Sequence, residues 1–209
     1  AEVDFNDLDE VEIYLGDKIA PGSFAWAVPL RKGKARLGLT LRDSACSYFR
    51  RFLETPSIKR RLKSEKVEIR CRPVVSGVAL KTYSSRVLSV GDAAGQVKTT
   101  TGGGIYYGLI GAEIAAQTII DAFDKDDYSE SHFRMYEKRW REMLEPEIKM
   151  GFQLREIYAA SGDEKIDYLI DLANRDGIVP LIRNKAKFDW QKNFFLSLLK
   201  KPIIRKILF

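Results

Sequence analysis

The chain has 209 residues, 45% hydrophobic and 31% charged, with a formal net charge of +6. That length supports one large domain or two small ones, and that composition excludes a disordered polymer. No apolar run reaches the roughly 18 residues of a membrane-spanning helix and no leader is visible at Ala1, so a cytoplasmic chain is expected.

Val11 to Leu15 alternates and predicts a strand. Pro21-Gly22 marks a turn. Phe24 to Val28 alternates large and small, which sets Phe24, Trp26 and Val28 on one face. Arg31 to Lys34 reads as a hairpin turn, and Arg36 to Leu41 as the returning strand. Asp43 is placed to cap a helix reaching about Ser64, with Tyr48, Phe49, Phe52 and Leu53 on its apolar side. Lys66 to Val75 returns to strand character, and Arg86 to Val90 reads as a short buried strand.

From Gly103 to about Phe123 the pattern predicts a buried helix, with Ile105, Leu109, Ile110, Ile114, Ala115 and Ile119 facing the core. Gly108, Gly111, Ala112, Ala115 and Ala116 keep that helix slim enough to pack closely on a sheet. Asp124 to Asp127 is an acidic break. Ser129 starts a long charged helix through Phe133, Tyr136, Trp140 and Leu144, which Pro146 kinks or divides. Helices at about 164–175 and 188–199 follow, and Pro202 interrupts the last basic segment.

The two cysteines, Cys46 and Cys71, form no CxxC pair, and the one histidine, His132, gives them no metal partner. They read as reduced structural thiols, and no metal site is expected. His132 lies on a charged helix and reads as a surface residue. Charge is uneven: Arg183 to Phe209 holds eight basic residues and one acid, and Arg50 to Arg72 nine against three. Such stretches are solvated basic faces, or surfaces for an acidic protein or an anionic headgroup. They lack the exposed aromatics of a nucleic-acid module, and no nucleic acid is expected.

The stretch Arg86 to Ile105 carries the most chemistry. A β-branched run ends in Gly91-Asp92, a loop of small residues follows, and Gly102, Gly103 and Gly104 open an apolar helix. A helix start offers unpaired N–H groups and partial positive charge, and glycines let a ligand touch the backbone. A carboxylate at Asp92 can accept hydrogen bonds from hydroxyls. The segment Gly91-Asp-Ala-Ala-Gly-Gln-Val-Lys-Thr-Thr-Thr-Gly-Gly-Gly-Ile-Tyr-Tyr107 resembles the second FAD-binding motif of p-hydroxybenzoate hydroxylase-like flavoproteins. More narrowly, it is similar to that of the geranylgeranyl reductase family, which includes FixC-like dehydrogenases. A second element, Phe24-Ala-Trp-Ala-Val-Pro29, with eight residues before Gly38-Leu-Thr40, resembles that family's Tyr-x-Trp-x-Phe-Pro…Gly-x-Gly pattern. Phe24, Val28 and Thr40 depart from it, as does Thr99, where the family often has proline.

The resemblance implies an α+β fragment of a p-hydroxybenzoate hydroxylase-type FAD/NAD(P)-binding fold. Residues 1–85 would form an antiparallel substrate-binding sheet, 86–124 a strand–loop–helix belonging to the C-terminal part of an FAD domain, and 125–209 a helical subdomain. The N-terminal GxGxxG Rossmann unit is absent from this sequence, so a C-terminal piece of a longer FAD-binding protein is expected, inactive alone and binding flavin weakly or not at all. By the same resemblance Asp92 binds the ribityl chain of FAD. Gly91, Thr101, Gly102, Gly103, Gly104 and Ile105 complete that cofactor site. Phe24, Trp26, Val28, Pro29 and Gly38 line the substrate tunnel. No side chain stands out as a proton donor; Tyr106 and Tyr107 either face the ring or pack the core.

The implied reaction is reduction of geranylgeranyl double bonds in a lipid or a (bacterio)chlorophyll precursor, with an acidic redox partner such as ferredoxin. Two alternatives stay open within enzymes, a FixC-like dehydrogenase passing electrons to a quinone and an aromatic hydroxylase. From another class comes a basic module at the C-terminus: Trp190, Phe194, Phe195, Leu196, Leu198 and Leu199 precede Lys200, Lys201, Arg205 and Lys206. That segment suits peripheral binding to an anionic membrane, a cap on the core or a dimer contact.

Overall fold

Alternating small and large residues on two adjacent runs, joined by a tight turn, dictate the central hairpin. Strand β3 (Phe24–Leu30) pairs antiparallel with β4 (Lys34–Thr40), in a register that sets Trp26 opposite Gly38 and Leu30 opposite Lys34. Lys32 and Gly33 both take positive φ in the connection, the twist a tight hairpin requires. The computed structural model describes residues 1–63, 66–175, 179, 187 and 189–200. They divide into two compact units, Ala1–Pro73 with Glu156–Ile170, and Val74–Arg155 with Asp171–Phe209.

In the first unit β1 (Glu2–Asp4) and β2 (Glu12–Tyr14) flank the hairpin, giving the sheet order β1-β4-β3-β2. The alternation predicted at residues 11–15 is therefore a strand; β1, three residues long, lacks enough periods to be read from sequence. Ala25, Ala27, Ala35 and Leu37 point to one face and are buried. Helix α1 (Ala45–Glu54) covers that face with Phe49, Phe52 and Leu53, the apolar side expected of it. The small alanines let the helix approach the strands closely, and burial of each large side chain contributes about 1.5–3 kcal/mol.

Three local expectations change here. Ser44, in a left-handed conformation, is the residue before α1, and no side chain caps that helix, so Asp43 is not its cap. The helix does not continue to residue 64. Thr55 is extended ahead of Pro56, as the ring of a following proline demands, and a separate turn, α2 (Pro56–Lys59), begins. Residues 66–73 form no strand; Val67 and Ile69 pack on the core with side chains alone. Alternation reports which way side chains face, and a strand also needs a free edge to pair with.

Cys46 and Cys71 are joined as a disulfide, with Cα atoms 6.6 Å apart. The expectation of two reduced thiols is therefore corrected. A separation of 25 residues carries no distance information, and the fold of residues 66–72 against α1 brings them together.

The second unit is built on α3 (Ile105–Asp124) and α4 (Glu130–Ala159), whose last turn belongs to the first unit. Tyr107, Ile114 and Ala115 of α3 pack against Tyr136, Trp140, Leu144 and Ile148 of α4. Pro146 lies inside α4 without dividing it. Two short strands, β5 (Tyr83–Ser84) and β6 (Val87–Leu88), form an antiparallel pair. The buried strand expected at 86–90 reduces to β6, and Val87 is 56% exposed. Helix α5 (Asp163–Arg175), whose residues up to Ile170 belong to the first unit, lies where a helix is predicted, and helix α6 (Lys192–Leu199) starts later than the predicted 188. Among the described residues no helix is long and apolar enough to cross a membrane.

Helix α3 is not the fully buried helix its sequence suggests. Its buried stripe is Tyr107, Gly111, Ile114, Ala115, Thr118 and Ala122. Ile105, Leu109, Ile119, Ile120 and Phe123 are exposed, and Ile110 is half-buried. A helix apolar all round satisfies a burial pattern on either side, so periodicity could not say which side this chain covers.

Candidate functional site

The glycine bend is assembled from the buried side outward. Gly91–Ala94 forms one 3-10 turn, and Gly91, Gly95 and Gly102 all take positive φ, which side chains other than glycine's adopt only under strain. At Gly95 the constraint is also spatial: an added Cβ would lie 2.8 Å from the Cα of Val78. The buried carboxamide of Gln96 then fixes the bend. Its Oε1 accepts from the Gly91 N–H at 2.8 Å, and its Nε2 donates to the Tyr136 hydroxyl at 2.9 Å, which in turn donates to the Ser89 carbonyl. Residues 98–103 close as a small loop, with Lys98 N–H donating to Gly103 O and Gly102 N–H to Lys98 O. Thr99, in the place where the family often has proline, is buried and donates to the Ile148 carbonyl at 2.8 Å, tying the loop to α4. Lys98 reaches Asp189 at 2.7 Å.

The outer side of this bend is open. Asp92, Thr101, Gly102 and Ile105 are exposed, and Gly103 and Gly104 are half-buried. Gly91 has nothing within 4 Å of the position a Cβ would take. The Asp92 carboxylate lies over the start of α3: a Cβ on Gly104 would come within 2.8 Å of its Oδ1. Among the described residues no side-chain hydrogen bond caps α3, which leaves its first N–H groups available beside the Asp92 carboxylate. A bare helix start with a carboxylate beside it can bind a group that is anionic at one end and hydroxylated at the other. The exposed chemistry of these residues fits the ring edge and ribityl chain of a flavin.

The tyrosines after the glycines divide. Tyr106 is 42% exposed and stacks edge-on with Trp190, whose ring centroid is 6.3 Å away. Tyr107 is buried and donates its hydroxyl to the Asp189 carbonyl at 2.7 Å; burial pushes its phenol well above the ordinary tyrosine range. Gln96, Lys98 and Asp189 were missed by sequence reasoning, because a polar residue in a loop carries no mark that it will be buried.

In the first unit the aromatic hairpin presents Phe24, Trp26, Val28 and Pro29 half-buried, on the face opposite the alanine core or at its edge. The Phe24 and Trp26 rings are 5.7 Å apart. The Trp26 indole lies flat across Gly38; a Cβ there would meet its Cε2 at 2.6 Å. A pocket of about 300 Å³ is lined by Trp26, Gly38, Leu39, Phe49 and Ile69, together with Arg36, Arg70 and Arg72. Phe24, Val28 and Pro29 lie outside that lining.

His132 is not the surface residue expected. Its side chain is 8% exposed and sits between Asp121 of α3, 3.4 Å away, and Asp127, 3.6 Å away. Nε2 is buried and finds no hydrogen bond of acceptable geometry. The helix face it occupies turns toward α3, which sequence charge alone could not show. No cluster of metal-ligating residues occurs among the described residues. Of the basic C-terminal segment, Lys200 is the last described residue, so Lys201, Arg205 and Lys206 lie outside the described residues, as do Pro202 and Arg183.

Comparison with known proteins follows the same lines. No family model matches the chain. An uncharacterized protein of Methanocaldococcus jannaschii is 32% identical over 96% of this chain and 51% of its own length. The digeranylgeranylglycerophospholipid reductase of the same organism is 35% identical, over 84% of this chain and 46% of its own length. A digeranylgeranylglycerophospholipid reductase 2 of Methanothermobacter thermautotrophicus is 33% identical, over 78% and 43%. Among solved structures, a geranylgeranyl bacteriochlorophyll reductase-like protein from Thermoplasma acidophilum superposes with a TM-score of 0.73 at 27% identity, over 88% of this chain and 50% of that one. Fold and bend together thus define an α+β chain of the geranylgeranyl reductase-like class. The chain belongs to the geranylgeranyl reductase family, and it spans about half the length of the curated relatives it matches.

Proposed function

We propose that this chain forms part of an FAD-dependent reductase of isoprenoid double bonds, acting on a prenyl lipid, with a p-hydroxybenzoate hydroxylase-type fold. Residues 86–124 would contribute the ribityl and ring side of the flavin site, 1–85 the substrate region, and 125–209 a helical subdomain. One observation carries the reading: the Asp92 carboxylate beside the uncapped start of α3, on an open surface. When bound and reduced by an external electron donor, FAD would supply the hydride for one alkene carbon, the other carbon taking a proton. Asp92 accepts hydrogen bonds from ribityl hydroxyls, and the N–H groups that follow Gly102 favour negative charge at the ring's pyrimidine edge. Phe24, Trp26 and Gly38 offer an apolar wall to a methylene chain, which needs no polar partner. The named relatives at 33–35% identity are reductases of digeranylgeranylglycerophospholipids, and this supports the substrate class.

Riboflavin, which carries the ring and ribityl chain alone, tests the site directly. The 209-residue chain is expected to quench riboflavin fluorescence, and Asp92→Ala to weaken that binding about tenfold, the loss of one charge-assisted hydrogen bond. Equal quenching by both proteins removes Asp92 from the site.

A further inference from the structure

Residues 91–105 carry two charged side chains, and the fold treats them in opposite ways. Asp92 is exposed on the open side of the bend, whereas Lys98 is only 7% exposed. The lysine stem passes Gly103: its Cε lies 3.2 Å, and its ammonium 3.9 Å, from the position a Cβ on that glycine would take. A cation buried this far costs free energy unless a partner offsets it, and an apolar side chain of similar length would fill the space without that cost. The partner is Asp189, 2.7 Å away and itself 22% exposed.

Asp189 does not depend on Lys98 for its place. Its backbone carbonyl accepts from the Tyr107 hydroxyl at 2.7 Å. The next ring, Trp190, packs on both Tyr106 and Tyr107, with centroids 6.3 and 6.2 Å away. Gln191 and Lys192 donate their backbone N–H groups to Glu147 of α4 at 2.9 and 2.8 Å, and the Gln191 Oε1 accepts from the Thr100 hydroxyl at 3.2 Å. Residues 189–192 are thus fastened to the glycine bend and to α4 by contacts other than the ion pair. Holding this segment down does not require a buried lysine.

The start of α3 already favours negative charge through its N–H groups, and an ammonium beside Gly103 adds a full positive charge at the same place. We infer that Lys98 and Asp189 set, with opposite signs, the preference of the glycine bend for a flavin in its reduced, anionic form: Lys98 raises that preference, and Asp189 limits it by partly neutralising the ammonium. Uptake of two electrons and one proton leaves the flavin ring with one negative charge at its pyrimidine edge. A cation near that edge therefore binds the reduced form more tightly than the neutral oxidised form. By linkage, the same difference raises the potential of the bound flavin. The inference rests on the proposed function for the identity of the ligand; the opposed roles of two residues 91 positions apart are its own content.

Anaerobic equilibrium dialysis of the 209-residue chain against oxidised riboflavin, and against dithionite-reduced riboflavin at mildly alkaline pH, gives the ratio of the two affinities. Lys98→Met is expected to lower the preference for the reduced form about tenfold, the effect of one nearby charge in a partly hydrated site, and Asp189→Asn to raise it about threefold. Lys98→Arg, which keeps the charge, is expected to keep the ratio. Lys98→Gln serves as a second neutral variant where circular dichroism shows that the methionine variant does not fold. An ion pair that only held the loop would, on loss of either partner, weaken both forms alike and leave the ratio unchanged. A ratio unchanged in the neutral variants, or shifted with the same sign by the lysine and aspartate substitutions, overturns the inference while the flavin reading stands. A wild-type chain that binds neither form of riboflavin overturns both.

Discussion

The carboxamide of Gln96 occupies the space that a Cβ on Gly111 would fill; its Cδ would be only 2.5 Å away. One helical glycine therefore lets a buried polar side chain slide under α3 and hold the Gly91 N–H. Gly111→Ala is expected to destabilise the protein by about 1–3 kcal/mol through overpacking at a site that cannot give. Gln96→Ala, which relieves the crowding but leaves the Gly91 N–H without its acceptor, is expected to cost about 1–3 kcal/mol by a different route. Urea unfolding of both single variants and the double checks this. The double variant should lose less than the sum, because the alanine no longer meets a carboxamide.

Gly38→Ala drives a methyl group into the Trp26 ring. The indole must leave the face of β4, so the tryptophan emission should shift and stability should fall by about 1–3 kcal/mol. A Trp26→Phe background supplies the control, since Trp140 and Trp190 also emit. An unshifted spectrum in the glycine variant would mean that the indole does not lie where it is described.

Trp140 is fully buried and donates from Nε1 to the Thr82 hydroxyl at 3.0 Å, while Glu137 accepts from the backbone and hydroxyl of the same threonine. Truncation to alanine leaves a large cavity in the α3–α4 core. A loss of about 3–5 kcal/mol is expected in thermal or urea unfolding. A loss under about 1 kcal/mol would show that this core is not the stabilising one.

Tyr14 and Glu12 give the first unit a pH signature. Burial, followed by its hydrogen bond to Glu12, pushes the Tyr14 phenol from its ordinary 10.0 up to about 12. Between those values the folded state keeps a proton that the unfolded chain releases. Stability from this group is therefore intact below pH 10 and falls as pH rises toward 12. Arg61, which donates to Glu12 at 2.7 Å, holds that carboxyl below its ordinary range, so its contribution is present above that range and is lost as pH falls through the lower value. Thermal unfolding across both limbs should show a smaller alkaline decline in Tyr14→Phe and also a somewhat smaller acid decline, because the Tyr14 hydroxyl joins Arg61 in holding the Glu12 carboxyl low.

Much of the hairpin was legible in the residues themselves. The alternation of Phe24 to Val28, the turn at residues 31–34 and the expected partner strand all have local causes: strand geometry and turn twist act over a few residues. The same holds for α3, α5 and α6. The position of Asp92 just ahead of a glycine-opened helix is local as well. The local signals failed where an outcome depended on a neighbour distant in sequence. The run at residues 66–73 has strand character without an edge to join, and His132 was placed on the surface although Asp121 and Asp127 enclose it.

By itself, then, the order of residues determined the hairpin, the helix types and the glycine bend, since each follows from backbone preferences within a few positions. Tertiary structure alone decided that Gln96 braces the bend, that α3 leaves one apolar side exposed, and that Cys46 meets Cys71. It also decided that three arginines share a pocket with Trp26. Each of these depends on distances between segments far apart in the chain, and such distances are set only when side chains from different elements compete for the same space.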